Sequence, residues 1–149
     1  MPGEIHGMFA GKEPIGNIVY NSSIGVYGKA DNLPETSGTP IPAAHRSAVL
    51  SGKATMMCTV DDEGVKEFDI EIEKILHHGT DSTKSMVVHI TDPRLLSVTG
   101  GIIQGMSGSP ILQNGRIVGA VTHVLINDPT KGYGIFIENM LEAAENGVN

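Results

Sequence analysis

The sequence predicts an all-β barrel or sandwich with one short C-terminal helix. Three observations carry that expectation. From residue 53 onward, short apolar runs recur between turns rich in Gly, Asn, Asp and Pro. One run, Val65–Ile75, sets Phe68, Ile70 and Ile72 against Asp69, Glu71 and Glu73. That period of two puts one face in water and the other in a core. No helical pattern separates successive strand candidates, which excludes a βαβ order.

The elements follow in order. Residues 1–52 are broken by five prolines, Pro2, Pro14, Pro34, Pro40 and Pro42. Within them Ile15–Tyr20 and Ile24–Tyr27 read as two short strands around Asn21-Ser22-Ser23, and Lys29–Ile41 reads as a loop. His45 reads as a surface residue ahead of the next strand. Lys53–Val60 is a strand, Asp61–Gly64 a turn, and Val65–Ile75 the alternating strand. Its acidic side chains fit a solvated strand face better than a metal site. His77 and His78 are adjacent, so an extended chain points them to opposite sides, a poor chelate. Ser85–Ile90 is a further strand, and Thr91-Asp92-Pro93-Arg94 turns out of it. Pro110–Gln113 and Arg116–Val124 flank Asn114-Gly115, a hairpin signal because both central positions of a type I′ turn take positive φ. Asn127–Gly132 reads as another turn and Tyr133–Ile137 as the last strand. Glu138–Asn146 reads as the helix, with Gly147 as its stop.

Composition narrows the function. A chain of 149 residues forms one domain or two small subdomains. Lys and Arg number 10 against 17 Asp and Glu, a net charge of −7 that phosphate backbones repel, so nucleic-acid binding is not expected. The single cysteine, Cys58, cannot form an internal disulfide and sits in an apolar run as a small buried residue. No apolar run is long enough for a membrane span, and no signal peptide opens the chain. An exported protein would carry its targeting segment outside these residues. Nothing calls for a cofactor or a metal.

The chemistry concentrates in Gly105-Met106-Ser107-Gly108-Ser109-Pro110. A polar turn is the ordinary reading of such residues. Glycines on both sides of Ser107 also allow a backbone that lifts one hydroxyl and turns N–H groups toward the oxygen beside it. The loop runs strand to strand, unlike the strand-to-helix nucleophile elbow of α/β-hydrolases, which disfavours an esterase of that kind. It resembles the Gly-Asp-Ser-Gly-Gly-Pro loop of chymotrypsin-like proteases. By that match Ser107 is the nucleophile, and the N–H groups of Gly105 and Ser107 form the oxyanion hole.

The resemblance reaches further. The stretch Gly100–Gly134, with Gly105–Pro110, Asn114-Gly115 and Ala120-Val121-Thr122-His123 inside it, is similar to the signature of the stage IV sporulation protein B peptidases. Phe68–Ile72, Thr91–Leu96, Pro2-Gly3-Glu4 and Ile15–Ile18 fit as well. The family implies a chymotrypsin-like double β-barrel. Here it would be truncated at the N-terminus, with a partial first barrel over about residues 1–52, a second over about 53–149 and the short C-terminal helix. It implies a serine endopeptidase in the space between forespore and mother-cell membranes. Its protein substrate is a regulator, whose cleavage releases a membrane metalloprotease that matures a late sigma factor. The family also cuts itself and is tethered through an N-terminal membrane anchor, which would lie in a missing segment. A catalytically dead barrel that binds peptides or a partner protein is the competing expectation.

Residue by residue, Ser107 matches the family's nucleophile and Asp92 its implicated acid. An Asp before Pro is also an ordinary turn residue, so Asp92 alternatively shapes its loop. The family's catalytic histidine lies in a Gly-His motif ahead of the Pro-Gly-Glu segment. His6, His45, His77, His78, His89 and His123 do not match it, which implies a fragment without its general base and nearly inert. In chymotrypsin-like proteases the strand after the serine hairpin lines the specificity pocket. His123, with Thr122, would there recognise a polar residue before the scissile bond; a core histidine bonded to backbone is the plainer reading.

Overall fold

A computed structural model describes residues 14–31, 38–76 and 83–148. The expectations for Pro2-Gly3-Glu4, His6, His77 and His78 lie outside these residues. Strands β1 (Gly16–Ser22) and β2 (Gly25–Ala30) pair as an antiparallel hairpin. Six more strands follow: β3 (Gly52–Thr59), β4 (Val65–Ile75), β5 (Met86–Ile90), β6 (Pro110–Gln113), β7 (Arg116–Leu125) and β8 (Asp128–Phe136). They close into a barrel in the order β3-β4-β5-β8-β7-β6, with antiparallel pairing throughout. Two helices join them, α1 (Pro93–Thr99) and α2 (Ile137–Val148). The all-β barrel with a C-terminal helix is thus as the sequence predicts. Among the described residues, no helix is long and apolar enough to cross a membrane.

The alternation of β4 decides the barrel's inside. Phe68, Ile70 and Ile72 are buried with Met56, Met86, Val88, Ile90 and Ile111. Asp69, Glu71 and Glu73 stay outside, where Glu73 meets Lys131 Nζ at 2.7 Å and His89 Nδ1 at 3.4 Å. Cys58 is buried beneath the same wall, and burial pushes its thiol pKa up. The β6–β7 turn holds Asn114 at φ 52° and Gly115 at φ 72°, the two positive values a type I′ turn requires.

A lead-in segment straps the barrel. Ala44 N–H donates to Ile117 O at 2.8 Å, and Ile117 N–H donates to Pro42 O at 2.9 Å. Arg46 donates from its backbone N–H and its Nε to Glu138 at 2.7 and 2.8 Å, and from a terminal nitrogen to Glu142 at 2.9 Å. This ties the segment to α2. His45 is exposed, as expected, and its Nε2 lies 3.2 Å from Glu138.

Three local expectations change. Thr91–Arg94 opens helix α1 instead of a turn: Asp92 caps it, Pro93 occupies the first turn and Gly100 ends it at φ 70°. The turn expected over Asn127–Gly132 shrinks, because β8 begins at Asp128. Asp128 accepts from Thr130 N–H and Oγ1, and Pro129 O accepts from Ile102 N–H at 2.7 Å, which holds the segment extended. Gly147 lies inside α2 and does not stop it. A Cβ there would sit 2.4 Å from Tyr20 Cδ1, so the glycine lets the β1–β2 hairpin pack against the helix.

Candidate active site

The loop from Gly100 to Ser109 joins α1 to β6. It is a fixed structure. Met106 is buried and anchors its centre. Met106 N–H donates to Ile103 O, Ser109 N–H to Met106 O, and Gly108 N–H to Val121 O, the last at 2.8 Å. Val121 N–H returns a bond to Ser109 O at 3.0 Å, so the loop is clamped to β7 from both sides. Gly105 at φ 101° and Gly108 at φ 91° make the two bends, conformations that side-chain-bearing residues rarely adopt.

These bends leave Ser107 exposed above the buried Met106. Its hydroxyl donates to Thr122 O in β7 at 3.0 Å. Among the described residues, the N–H groups of Gly105 and Ser107 have no hydrogen-bond partner. These are the two groups expected to bind an oxyanion.

Ser107 lines a cavity of about 420 Å³ together with Gly108, Thr122 and His123. The far wall is the tip of the β1–β2 hairpin, Ser23 to Tyr27. The sequence gives no sign that this hairpin reaches the serine. The Thr122 hydroxyl faces Thr83 O at 2.9 Å and Tyr133 O at 3.2 Å. It is turned into the barrel wall, where its single proton is engaged. His123 is exposed on the cavity side.

Asp92 lies apart from this group. Its carboxylate, 2% exposed, accepts four hydrogen bonds. Three come from Arg94: its N–H at 2.9 Å, Nε at 3.0 Å and a terminal nitrogen at 2.6 Å. The fourth is Asp69 N–H at 3.1 Å. The Arg94 guanidinium holds this carboxyl far below the usual carboxylate pKa range, with the two backbone N–H groups helping. A carboxylate offers roughly four acceptor directions, and none is left for an imidazole. Arg94 in turn lies 5.3 Å over the Phe68 ring and donates to Glu67 O. The cluster rivets α1 to β4. The described histidines are also placed elsewhere: His45 beside Glu138 and His89 beside Glu73, while His123 shares the Ser107 cavity without a hydrogen bond to its hydroxyl.

The loop expected to run strand to strand thus leaves a short helix and enters a strand, which is still not the strand-to-helix elbow. An antiparallel six-stranded barrel that presents a serine on a glycine-bent loop leading into a strand is the architecture of the chymotrypsin-like class of serine peptidases. The comparisons carry this to a family. The family model for SpoIVB peptidase S55 matches residues 1–141, and the chain belongs to that family. Its fold is similar to the crystal structure of the Rv3671c protease from M. tuberculosis in its active form. The TM-score is 0.64 at 17% identity, covering 93% of this chain and 61% of that one. The inactive form of that protease matches with a TM-score of 0.62 at 15% identity, covering 90% of this chain and 67% of that one. The likeness is one of fold. The chain thus spans about three fifths of the first protease it matches. Among curated protein sequences none matches.

Proposed function

We propose that Ser107 is the nucleophile of a serine endopeptidase whose oxyanion hole is the N–H pair of Gly105 and Ser107. The clamped loop, with an exposed hydroxyl beside two unpartnered N–H groups, is the observation that supports this reading. In the reaction Ser107 Oγ attacks the scissile carbonyl and gives up its proton to a base. The oxygen of the tetrahedral intermediate is held by the two N–H groups. The amine leaves with the proton, and water then hydrolyses the acyl-serine. The base is the histidine that the family carries in a Gly-His motif. No described histidine bonds to Ser107, and Thr122 O accepts its hydrogen bond without being able to take the proton. On this reading the polypeptide alone is nearly inert.

Asp92 serves as the buried rivet of α1. Its four filled acceptor positions support this role over the catalytic one. The β1–β2 hairpin belongs to the first barrel and forms one wall of the substrate cleft, with His123 opposite. Family membership supports a role in sporulation signalling, in the space between forespore and mother-cell membranes and with anchoring through an upstream segment. There the enzyme would cleave a regulator of a membrane metalloprotease, and itself.

One observation favours a second reading. The Ser107 hydroxyl is bonded to a carbonyl and not to a base, as a peptide-binding barrel without catalysis would allow. A fluorophosphonate probe applied to a folded polypeptide that includes the Gly-His segment separates the two. Labelling at Ser107, lost in Ser107→Ala, is the expected result. A folded protein that takes no label is a binding module.

A further inference from the structure

Apolar surface beside the serine loop has no partner among the described residues. Ile126, in the turn between β7 and β8, is 96% exposed, Val98 63%, and Ile103 and Val124 40% each. Single exposed apolar residues are ordinary, whereas a contiguous group of them marks a binding surface. These four converge on one cavity of about 550 Å³, joined by Ile102 and Leu125. Among the described residues no charged side chain lines it, and Gln104 is its longest polar one.

Its position relates it to Ser107. Ile103 and Gln104 immediately precede Gly105, and both also line the adjoining cavity that contains Gly105 and Met106. On the opposite wall, Val124 lies two residues along β7 from Thr122, whose carbonyl holds the Ser107 hydroxyl. The strand rise makes that step about 7 Å, within the reach of one side chain. The walls are braced: Ile102 N–H is bonded to Pro129 O, and Thr99 Oγ1 lies 2.7 Å from Gly101 O.

We infer that this cavity receives the substrate side chain on the acyl side of the scissile bond, and that it selects an aliphatic residue of the size of Leu or Met. The inference rests on Ser107 being the nucleophile, and it replaces the polar residue expected from His123. A charged side chain placed here would meet no counter-charge among the lining residues, whereas an aliphatic one would cover exposed apolar surface. His123 faces the other cavity, against the hairpin tip.

Methyl-resolved NMR of the 149-residue chain tests this without needing turnover. The probes are acetyl-Ala-Ala-Xaa peptides with a free carboxylate, in which Xaa is Leu, Met, Lys or Glu. The Leu and Met peptides are expected to shift the methyls of Ile102, Ile103 and Ile126. They are also expected to bind at least about tenfold more tightly than the Lys and Glu peptides. Ile126→Glu, at a position exposed enough to leave the fold intact, should abolish that preference and improve the Lys peptide. Ile103→Ala should weaken the Leu peptide without helping Lys. Equal affinity for Glu or Lys, or shifts confined to His123 and the hairpin, would overturn the inference. Fluorophosphonate labelling of the polypeptide with the Gly-His segment keeps the two levels apart. Labelling at Ser107 without aliphatic preference sinks the pocket assignment alone. Aliphatic preference without labelling withdraws the catalytic reading and supports the cavity as a peptide site.

Discussion

A carbonyl oxygen holds the hydroxyl of Ser107 at 3.0 Å, and it can orient that proton but not remove it. The bond is exposed, so it contributes little to folding. Ser107→Ala should therefore change stability by less than about 1 kcal/mol, measured by urea denaturation, while abolishing covalent labelling. Asp92 is the opposite case. It is buried, caps α1 and is paired with Arg94, so Asp92→Ala should cost about 2 kcal/mol. Its contribution also has a pH signature. The folded carboxyl titrates far below its unfolded value, so the unfolded chain binds the proton first as pH falls. The stabilisation is complete above the ordinary carboxylate pKa of about 4 and drains away below it. Melting temperatures of the native chain and Asp92→Ala should thus differ at pH 7 and converge toward pH 2. If Asp92→Asn keeps the fold but removes Ser107 labelling in a polypeptide bearing the Gly-His segment, Asp92 acts on the base after all.

At the scale of elements, what the sequence made legible was what is locally determined. The β4 alternation and the Asn114-Gly115 turn need only their own residues, and the serine loop carries its glycines with it. Helix α1 was harder to see. Asp92-Pro93 at its start and Gly100 at its end are its cap, first-turn proline and stop, but seven residues are too few for a 3.6-residue period to show against turn vocabulary. The start of β8 was hidden because Pro129 reads as a turn residue, while its extended form depends on Ile102 across the loop. The hairpin against Ser107 left no local trace, since its place depends on packing with α2. That packing makes a prediction. A methyl at Gly147 would meet Tyr20 at 2.4 Å, so Gly147→Ala should loosen the hairpin. Limited proteolysis near Ser22–Gly25 should speed up, although alanine itself favours the helix by about 1 kcal/mol. An unchanged cleavage rate would mean that the hairpin is held by other contacts.

Across the whole molecule, catalysis divides into what the barrel supplies and what it does not. On the proposed reading, the barrel and its clamped loop supply the Ser107 hydroxyl as nucleophile and two N–H donors. They do not supply a base bonded to the nucleophile among the described residues. A serine site with its oxyanion hole but without one triad member retains roughly 1,000- to 10,000-fold over water, far below a working protease. The 149-residue polypeptide should therefore hydrolyse peptides at no more than that level, with a rate that does not inflect near neutral pH. Joined to a segment carrying the family's Gly-His motif, it should gain Ser107-dependent turnover whose kcat/KM rises through about pH 6.5, where an imidazole loses its proton. Stopped-flow or fluorogenic assays across pH 5 to 9 would read both profiles. The reverse outcome has a definite meaning. Strong Ser107-dependent hydrolysis by the 149 residues alone, with that same inflection, would place the base among the chain's six histidines. His123, already in the cavity that Ser107 lines, would be the first to replace.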